Sequence, residues 1–273
     1  MPVAQLPHLE LHYERRGTGE PLLLIMGMSG THRHWGKPFL DALEPSFDVI
    51  AYNHRGVGQS SRMEAPFTIP ELAHDALGLM DALELDSAHV MGISMGGMVA
   101  QELVLRHPER VRTLVLGCTY AGGPGSALTG QDVIAELSSS MLSGDRELAI
   151  RTAWQVNVSP AFAAGRDSYE TFAEIARQLP VAVPVIMAQA QAIGSHDTSA
   201  RLAEIRVPTL VIHGTEDRML AASNGELIAR AIPGARLQVM DGVGHLFFWE
   251  EPERSAALVR EHTGVSVGSS ARG

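Results

Sequence analysis

The chain has 273 residues, 45% of them hydrophobic and 19% charged, with a formal net charge of −10. That balance is enough for a sizeable core, while the acidity argues against nucleic acid as a partner, because phosphate binding needs a basic face. The one cysteine, Cys118, excludes an intramolecular disulfide and a cysteine metal cluster.

No run reaches the roughly 18 apolar residues of a membrane span. The N-terminal stretch mixes His8, Glu10, His12 and Glu14 among its apolar residues and lacks the continuous apolar segment of a signal peptide. A cytoplasmic protein without a membrane partner is the expectation.

In chain order, Leu9, Leu11 and Tyr13 alternate with polar residues, the period of a half-exposed strand. Pro21 to Met26 is short and wholly apolar, as expected of a strand buried on both faces of a parallel sheet. His34 to Leu43 reads as a helix, Phe47 to Tyr52 as a strand and Ile69 to Leu83 as a helix. Ala88 to Met91 is a strand, Met95 to His107 a helix and Thr113 to Leu116 a strand that ends near Cys118, expected to be buried filler. Ala121 to Glu204 breaks the rhythm. It opens with a hinge-like Ala121-Gly122-Gly123-Pro124-Gly125-Ser126, has helical patterns throughout, and contains Trp154, Phe162, Tyr169 and Phe172. Thr209 to Ile212 is then a strand, Ala221 to Ala231 a helix, Arg236 to Met240 a strand and Pro252 to His262 a helix.

Alternation of this kind predicts an α/β fold: a mostly parallel central sheet with helices on both faces and a helical cap insertion. The expected division is a core of residues 1–120 and 205–264, a cap of 121–204 over the sheet's carboxyl edge, and a small, polar, flexible tail of 265–273.

Gly92-Ile93-Ser94-Met95-Gly96 lies between a strand and a helix. Glycines two places either side of the serine permit a turn sharp enough to lift its hydroxyl clear of the backbone, a nucleophile elbow. A serine hydroxyl needs a base to take its proton and a third group to orient that base. In open α/β sheets such groups gather at the carboxyl ends of strands. Two segments meet that requirement: Val211-Ile212-His213-Gly214-Thr215-Glu216-Asp217, and Asp241-Gly242-Val243-Gly244-His245-Leu246. The order serine, acid, histidine is that of the α/β-hydrolases. Asp241 belongs to its strand, leaving the neighbours Glu216 and Asp217 as acid candidates and His245 as base. His213 reads as a packed turn residue, His32 and His34 as a solvated helix start in preference to a metal pair, and His196-Asp197 as a cap-to-core hydrogen bond. The elbow glycines lack the Lys-Ser/Thr ending of a phosphate loop.

Further segments carry a resemblance. Asn53-His54-Arg55-Gly56-Val57-Gly58-Gln59-Ser60, Ser94-Met95-Gly96-Gly97 and His107-Pro108-Glu109-Arg110-Val111 resemble segments of the α/β-hydrolase fold family, with Asn53 where that family usually has Asp. The likeness covers nearly the whole chain. It is nearest to bacterial serine esterases and lactonases: enol-lactonases, antibiotic methylesterases and cofactor-free haloperoxidase-like esterases.

The resemblance implies a triad of Ser94, Asp217 and His245. Leu116-Gly117-Cys118-Thr119 offers no carboxylate at the alternative acid position. Backbone N–H groups of Met28 and Met95 would bind the oxyanion, although Met26-Gly27 stands where a His-Gly pair is common. Met26, Trp154, Met187 and Leu246 are candidates for the substrate pocket. The implied function is hydrolysis of a small, largely apolar carboxylic ester or lactone through an acyl-enzyme, with no cofactor and no metal, in a monomer or homodimer. Carbon–carbon bond hydrolysis or perhydrolysis would use the same triad. A non-hydrolytic synthase or ligand receptor on this scaffold is the alternative of another class. Dehalogenases and epoxide hydrolases of the fold are disfavoured, because their nucleophile is an aspartate.

Overall fold

The computed structural model describes residues 2–266. The expected tail falls outside the described residues from 267 onward.

Eight strands form one sheet: β1 (Val3–Gln5), β2 (Glu10–Arg16), β3 (Glu20–Ile25), β4 (Phe47–Tyr52), β5 (Ala88–Ile93), β6 (Val111–Gly117), β7 (Thr209–Gly214) and β8 (Arg236–Met240). Their spatial order is β1-β2-β4-β3-β5-β6-β7-β8. The first two pairings, β1 with β2 and β2 with β4, are antiparallel, and every later one is parallel. The helices are α1 (Lys37–Leu43), α2 (Ile69–Ala82), α3 (Met95–Arg106), α4 (Gln131–Leu142), α5 (Arg146–Asn157), α6 (Pro160–Ala163), α7 (Arg166–Gln178), α8 (Val183–Gly194), α9 (Ser223–Ala231), α10 (Phe247–Glu250) and α11 (Pro252–Thr263).

The apolar run of β3 is explained by two-sided burial. Leu23 and Ile25 join the cluster on one face, with Leu72, Val99, Leu103 and Leu114. Leu22 and Leu24 join the other, with Phe39, Leu43, Val115, Ile212, Phe247 and Val259. Each fully buried leucine contributes about 2 kcal/mol by area transfer. The first face is therefore covered by α2 and α3, the second by α1, α10 and α11. No single helix among the described residues is long and apolar enough to cross a membrane.

Three sequence expectations need correction. The helix expected over His34 to Leu43 is split: His32–Trp35 forms a 3-10 turn, and Gly36 at φ 75° separates it from α1. His32 and His34 are not solvated but buried, and Thr31 N–H donates to His34 Nδ1 at 3.0 Å. β1 and α10 were not expected, having three and four residues, too few to show a period.

Between β6 and β7 all α-helical segments are short, α4 to α8, and the described residues there include no strand, as the helical pattern implied. Several of these helices meet the segment that follows β8. Leu246 N–H donates at 2.8 Å to the carbonyl of Asn157, the last residue of α5. Ser159 N–H and Oγ–H donate to the Glu250 carboxylate at 2.9 and 2.5 Å. Trp154 packs edge-on against Trp249 with ring centroids 5.7 Å apart.

Candidate active site

Ser94 is the hinge between β5 and α3, with φ 55° and ψ −123°. Such a backbone is rare outside glycine and persists only where neighbours over-determine it. Ser94 N–H donates to Gly117 O at 2.9 Å, and its carbonyl accepts from Gly97 N–H at 2.9 Å and Thr119 Oγ1 at 2.6 Å. The elbow glycines are a steric requirement. A Cβ on Gly92 would lie 2.2 Å from Gly96 O, and one on Gly96 would lie 2.0 Å from Ile25 O. Ser94 itself stays half-buried.

The loops after β7 and β8 meet in front of this edge. His245 Nδ1 lies 2.8 Å from Asp217 Oδ2. A carboxylate only accepts, so Nδ1 carries the proton and Nε2 presents a lone pair. Of the two neighbouring acids it is Asp217 that faces the imidazole; Glu216 is exposed. Asp241 follows β8 and accepts from Thr215 Oγ1 at 3.3 Å, away from His245. Ser94 Oγ and His245 Nε2 have no hydrogen bond to each other or to any other described residue, a separation common before substrate aligns the groups.

Asp217 is held on all sides. Oδ1 accepts from Met219 and Leu220 N–H at 2.8 and 2.9 Å. Oδ2 takes His245 and, at 3.1 Å, His213 Nε2, which also donates to Leu220 O at 2.8 Å. Burial alone would raise this carboxyl, but the positive field of His245 and hydrogen bonds from His213 and His245 outweigh it and hold it well below the usual carboxylate range. The His213 contact was not legible in the sequence, where the residue reads only as a packed turn. The cue lies in its spacing: it precedes Asp217 by four residues, across a turn.

Cys118, at φ 40°, is buried as expected, but it is more than filler. Its sulfur lies within 4.8 Å of the paired Asp217 and His245 ligand atoms. Burial, with the Asp217 charge beside it, pushes the thiol well above its ordinary value, so it stays protonated.

Met95 N–H opens α3 and is one of that helix's unpaired donors. Met28 lies in the loop after β3, in a turn closed by Gly30 N–H donating to Gly27 O at 3.3 Å. No described residue accepts the Met28 or Met95 N–H. Met26 is buried beneath this turn, and its carbonyl accepts from His54 Nε2 at 2.9 Å, so an imidazole stands beside the loop that lacks a histidine of its own. Asn53 keeps the acceptor that an aspartate would offer: its Oδ1 takes His32 N–H at 2.8 Å.

The pocket candidates separate. Leu246 directly follows His245 and is buried. Trp154 of α5 sits in an aromatic cluster with Phe162, Phe172 and, from α10, Trp249, their rings 5.2 to 5.7 Å away. Met187 is on the outer side of α8 with 63% of its surface exposed, and no contact brings it to the serine. Gln189, two residues on and so on the opposite side of the same helix, is fully buried against the Met28 loop; it was missed because glutamine in a helix carries no chemical signal of its own.

Comparison with known proteins agrees with this architecture. A family model described as the alpha/beta hydrolase fold matches residues 20–252. A relative from Azorhizobium caulinodans, named provisionally as the carbamate hydrolase RutD, is 31% identical over 255 residues, covering 93% of this chain and 94% of that protein. Among solved structures, a hydrolase from Pseudomonas aeruginosa superposes with a TM-score of 0.82 at 32% identity, covering 96% of this chain and 98% of the other. The enol-lactonase from Burkholderia xenovorans superposes with a TM-score of 0.83 at 26% identity, covering 96% and 100%.

Proposed function

The chain belongs to the α/β-hydrolase fold family, and from that membership we propose that it is a serine hydrolase of a small, largely apolar carboxylic ester or lactone. The observation that carries the reading is the 2.8 Å bond from His245 Nδ1 to Asp217 Oδ2 at the strand edge where the Ser94 elbow turns. It fixes which nitrogen of the imidazole is free to act as base.

Ser94 Oγ attacks the carbonyl carbon while His245 Nε2 takes the hydroxyl proton. The carbonyl oxygen becomes an oxyanion held by the Met28 and Met95 N–H groups, each such donor being worth about 3 kcal/mol of barrier. Collapse of the intermediate breaks the bond to the leaving alcohol, which takes the proton from His245. Water then attacks the acyl-enzyme, again giving its proton to His245, and the acid departs as Ser94 regains its hydrogen. Asp217 stays ionised throughout and stabilises the imidazolium. Residues 121–204 form the cap, and Met26 and Leu246 are its nearest counterparts in the core wall of the pocket; a small molecule is the partner.

A carbamate is the second reading, favoured by the relative that bears a carbamate hydrolase name. It would use the same groups: the alcohol or the amine leaves from the tetrahedral intermediate with the proton from His245, and water then releases the carbamoyl or alkoxycarbonyl group from Ser94. A panel of p-nitrophenyl esters, lactones and N-alkyl carbamates separates the two. Ser94→Ala should lower kcat on the best of these by at least about 1,000-fold. Retention of most activity would refute the serine mechanism, and a folded protein that no fluorophosphonate labels would favour a receptor.

A further inference from the structure

Ser29 immediately follows the Met28 donor and is one of four non-glycine residues with positive φ among the described residues, at 56°. It is the third residue of the Gly27–Gly30 turn, and Met28 before it has the ordinary sign of φ. Those signs make a type II turn, whose third residue is normally glycine. Serine is strained there, and the strain would be relieved if the Met28–Ser29 peptide flipped to the type I arrangement. Something outside the turn must therefore hold it.

The holding contact comes from the cap. Ser29 N–H donates to Gln189 Oε1 at 2.9 Å, across 160 positions of sequence. Because an N–H can only donate, the carboxamide oxygen must face Ser29 and the amide nitrogen must face away. That nitrogen, Gln189 Nε2, is buried with no partner among the described residues. A methionine or leucine would fill the same space without stranding a buried donor. The chain carries an otherwise unfavourable amide at a position where only its oxygen has a protein partner.

The rest of α8 is seated on the same region. Ala188 and Ala192 join the cluster that contains Met95 and Met98, and Val185 methyl carbons lie 2.9 to 3.0 Å from where a Cβ on Gly56 would be. Helix α8 thus shares a buried cluster with the segment bearing one oxyanion donor and hydrogen-bonds the residue next to the other.

We propose that Gln189 is a positioning residue: its carbonyl oxygen holds the Met28–Ser29 peptide of the strained Gly27–Gly30 turn, keeping the Met28 carbonyl turned away from Gln189 and anchoring the loop that carries the Met28 N–H while α8 is seated on the core. The inference rests on the serine mechanism proposed above and adds to it a dependence of the oxyanion hole on the cap.

The test uses the full chain and p-nitrophenyl acetate, with Gln189→Met, Ser29→Gly and the double variant. Methionine matches the length of glutamine and removes the acceptor. Gln189→Met should lower kcat tenfold or more, with KM within about twofold and the thermal midpoint not reduced. Glycine adopts positive φ freely, so adding Ser29→Gly to Gln189→Met should recover at least half of the lost kcat on a logarithmic scale. Repair of a merely structural defect in α8 would not follow from that change. The proposal is overturned if Gln189→Met keeps kcat within twofold of the parent, or if its loss is untouched by Ser29→Gly. Ser94→Ala in parallel keeps the two readings apart: an active Ser94→Ala refutes the serine mechanism, whereas an inactive Ser94→Ala beside a fully active Gln189→Met refutes the role of Gln189 alone.

Discussion

Ser94 has a backbone conformation, φ 55° and ψ −123°, that costs a serine about 1–3 kcal/mol and is held by bonds to Gly97, Gly117 and Thr119. Beside it, Asp217 accepts from Met219, Leu220, His213 and His245. Every one of these bonds favours the ionised carboxylate, which is why the acid stays charged far below neutral pH although it is buried. Asp217→Asn would replace an acceptor by a donor opposite His245 Nδ1–H and so favour the wrong tautomer. We expect kcat to fall by about 1,000- to 10,000-fold with the fold intact, measured by ester turnover beside circular dichroism. His213 shows the limit of reading residues singly. Its type and spacing are visible in the chain, but that Nε2 is shared between Leu220 O and Asp217 follows only from the path of the turn between them.

At the scale of elements, the strand–turn–helix of the elbow is specified locally. β5 ends in Gly92-Ile93 and α3 begins at Met95, with the two backbones so close that neither Gly92 nor Gly96 tolerates a Cβ. Gly96→Ala would put a methyl group 2.0 Å from Ile25 O and 2.7 Å from Met26 O, both backbone atoms that cannot step aside. We expect a cost of about 3 kcal/mol or more, lowering the thermal midpoint by about 6–12 °C in a domain of this size. A midpoint within 2 °C of the parent would show that β3 can move as a unit. The β-strands were legible for a related reason: a strand covered on both faces carries a continuous apolar run, and β3 to β7 each contain one, at 22–25, 49–52, 90–93, 114–116 and 210–212. The break at Gly36 was not legible, because its positive φ answers to Trp249, whose ring atom lies 3.2 Å from the position of a Cβ there.

At the scale of the whole molecule, the helices between β6 and β7 are tied to the loops at the sheet edge in two places. Gln189 ties α8 to the Met28 loop, while Glu250 accepts from Gly244 N–H and from Ser159, linking the His245 loop to the end of α5. The assembly also sets the response to acid. Burial lowers the His34 and His196 imidazoles from 6.5 to about 4; His34 is further depressed by His32 and Arg33, while around His196 the carboxylates of Glu102 and Asp197 partly offset burial and Arg201 reinforces it. Folding therefore buries neutral rings. Below the unfolded value of 6.5 the unfolded chain takes up protons that the folded chain does not. This part of the stability is complete above that pH and falls as pH drops toward 4, by about 1.4 kcal/mol per pH unit for each ring. Chemical denaturation at intervals from pH 7 to pH 4 should show the decline, and His196→Asn should make it shallower. An unchanged slope in that variant would exclude His196 as a source.

What the sequence determined by itself was whatever depends on near neighbours: the elbow at Ser94, the order of Ser94, Asp217 and His245, the buried strands, and the helical character of the interval between β6 and β7. Sterics around a glycine and the period of apolar side chains act over a few residues, so a linear reading contains them. The tertiary structure alone decided that His213 joins Asp217, that His32 and His34 are buried, and that Gln189 reaches Ser29. Each of these depends on how segments remote in sequence, or the turns between them, are oriented by packing, and a hydrogen bond between such groups leaves no periodic trace in the chain.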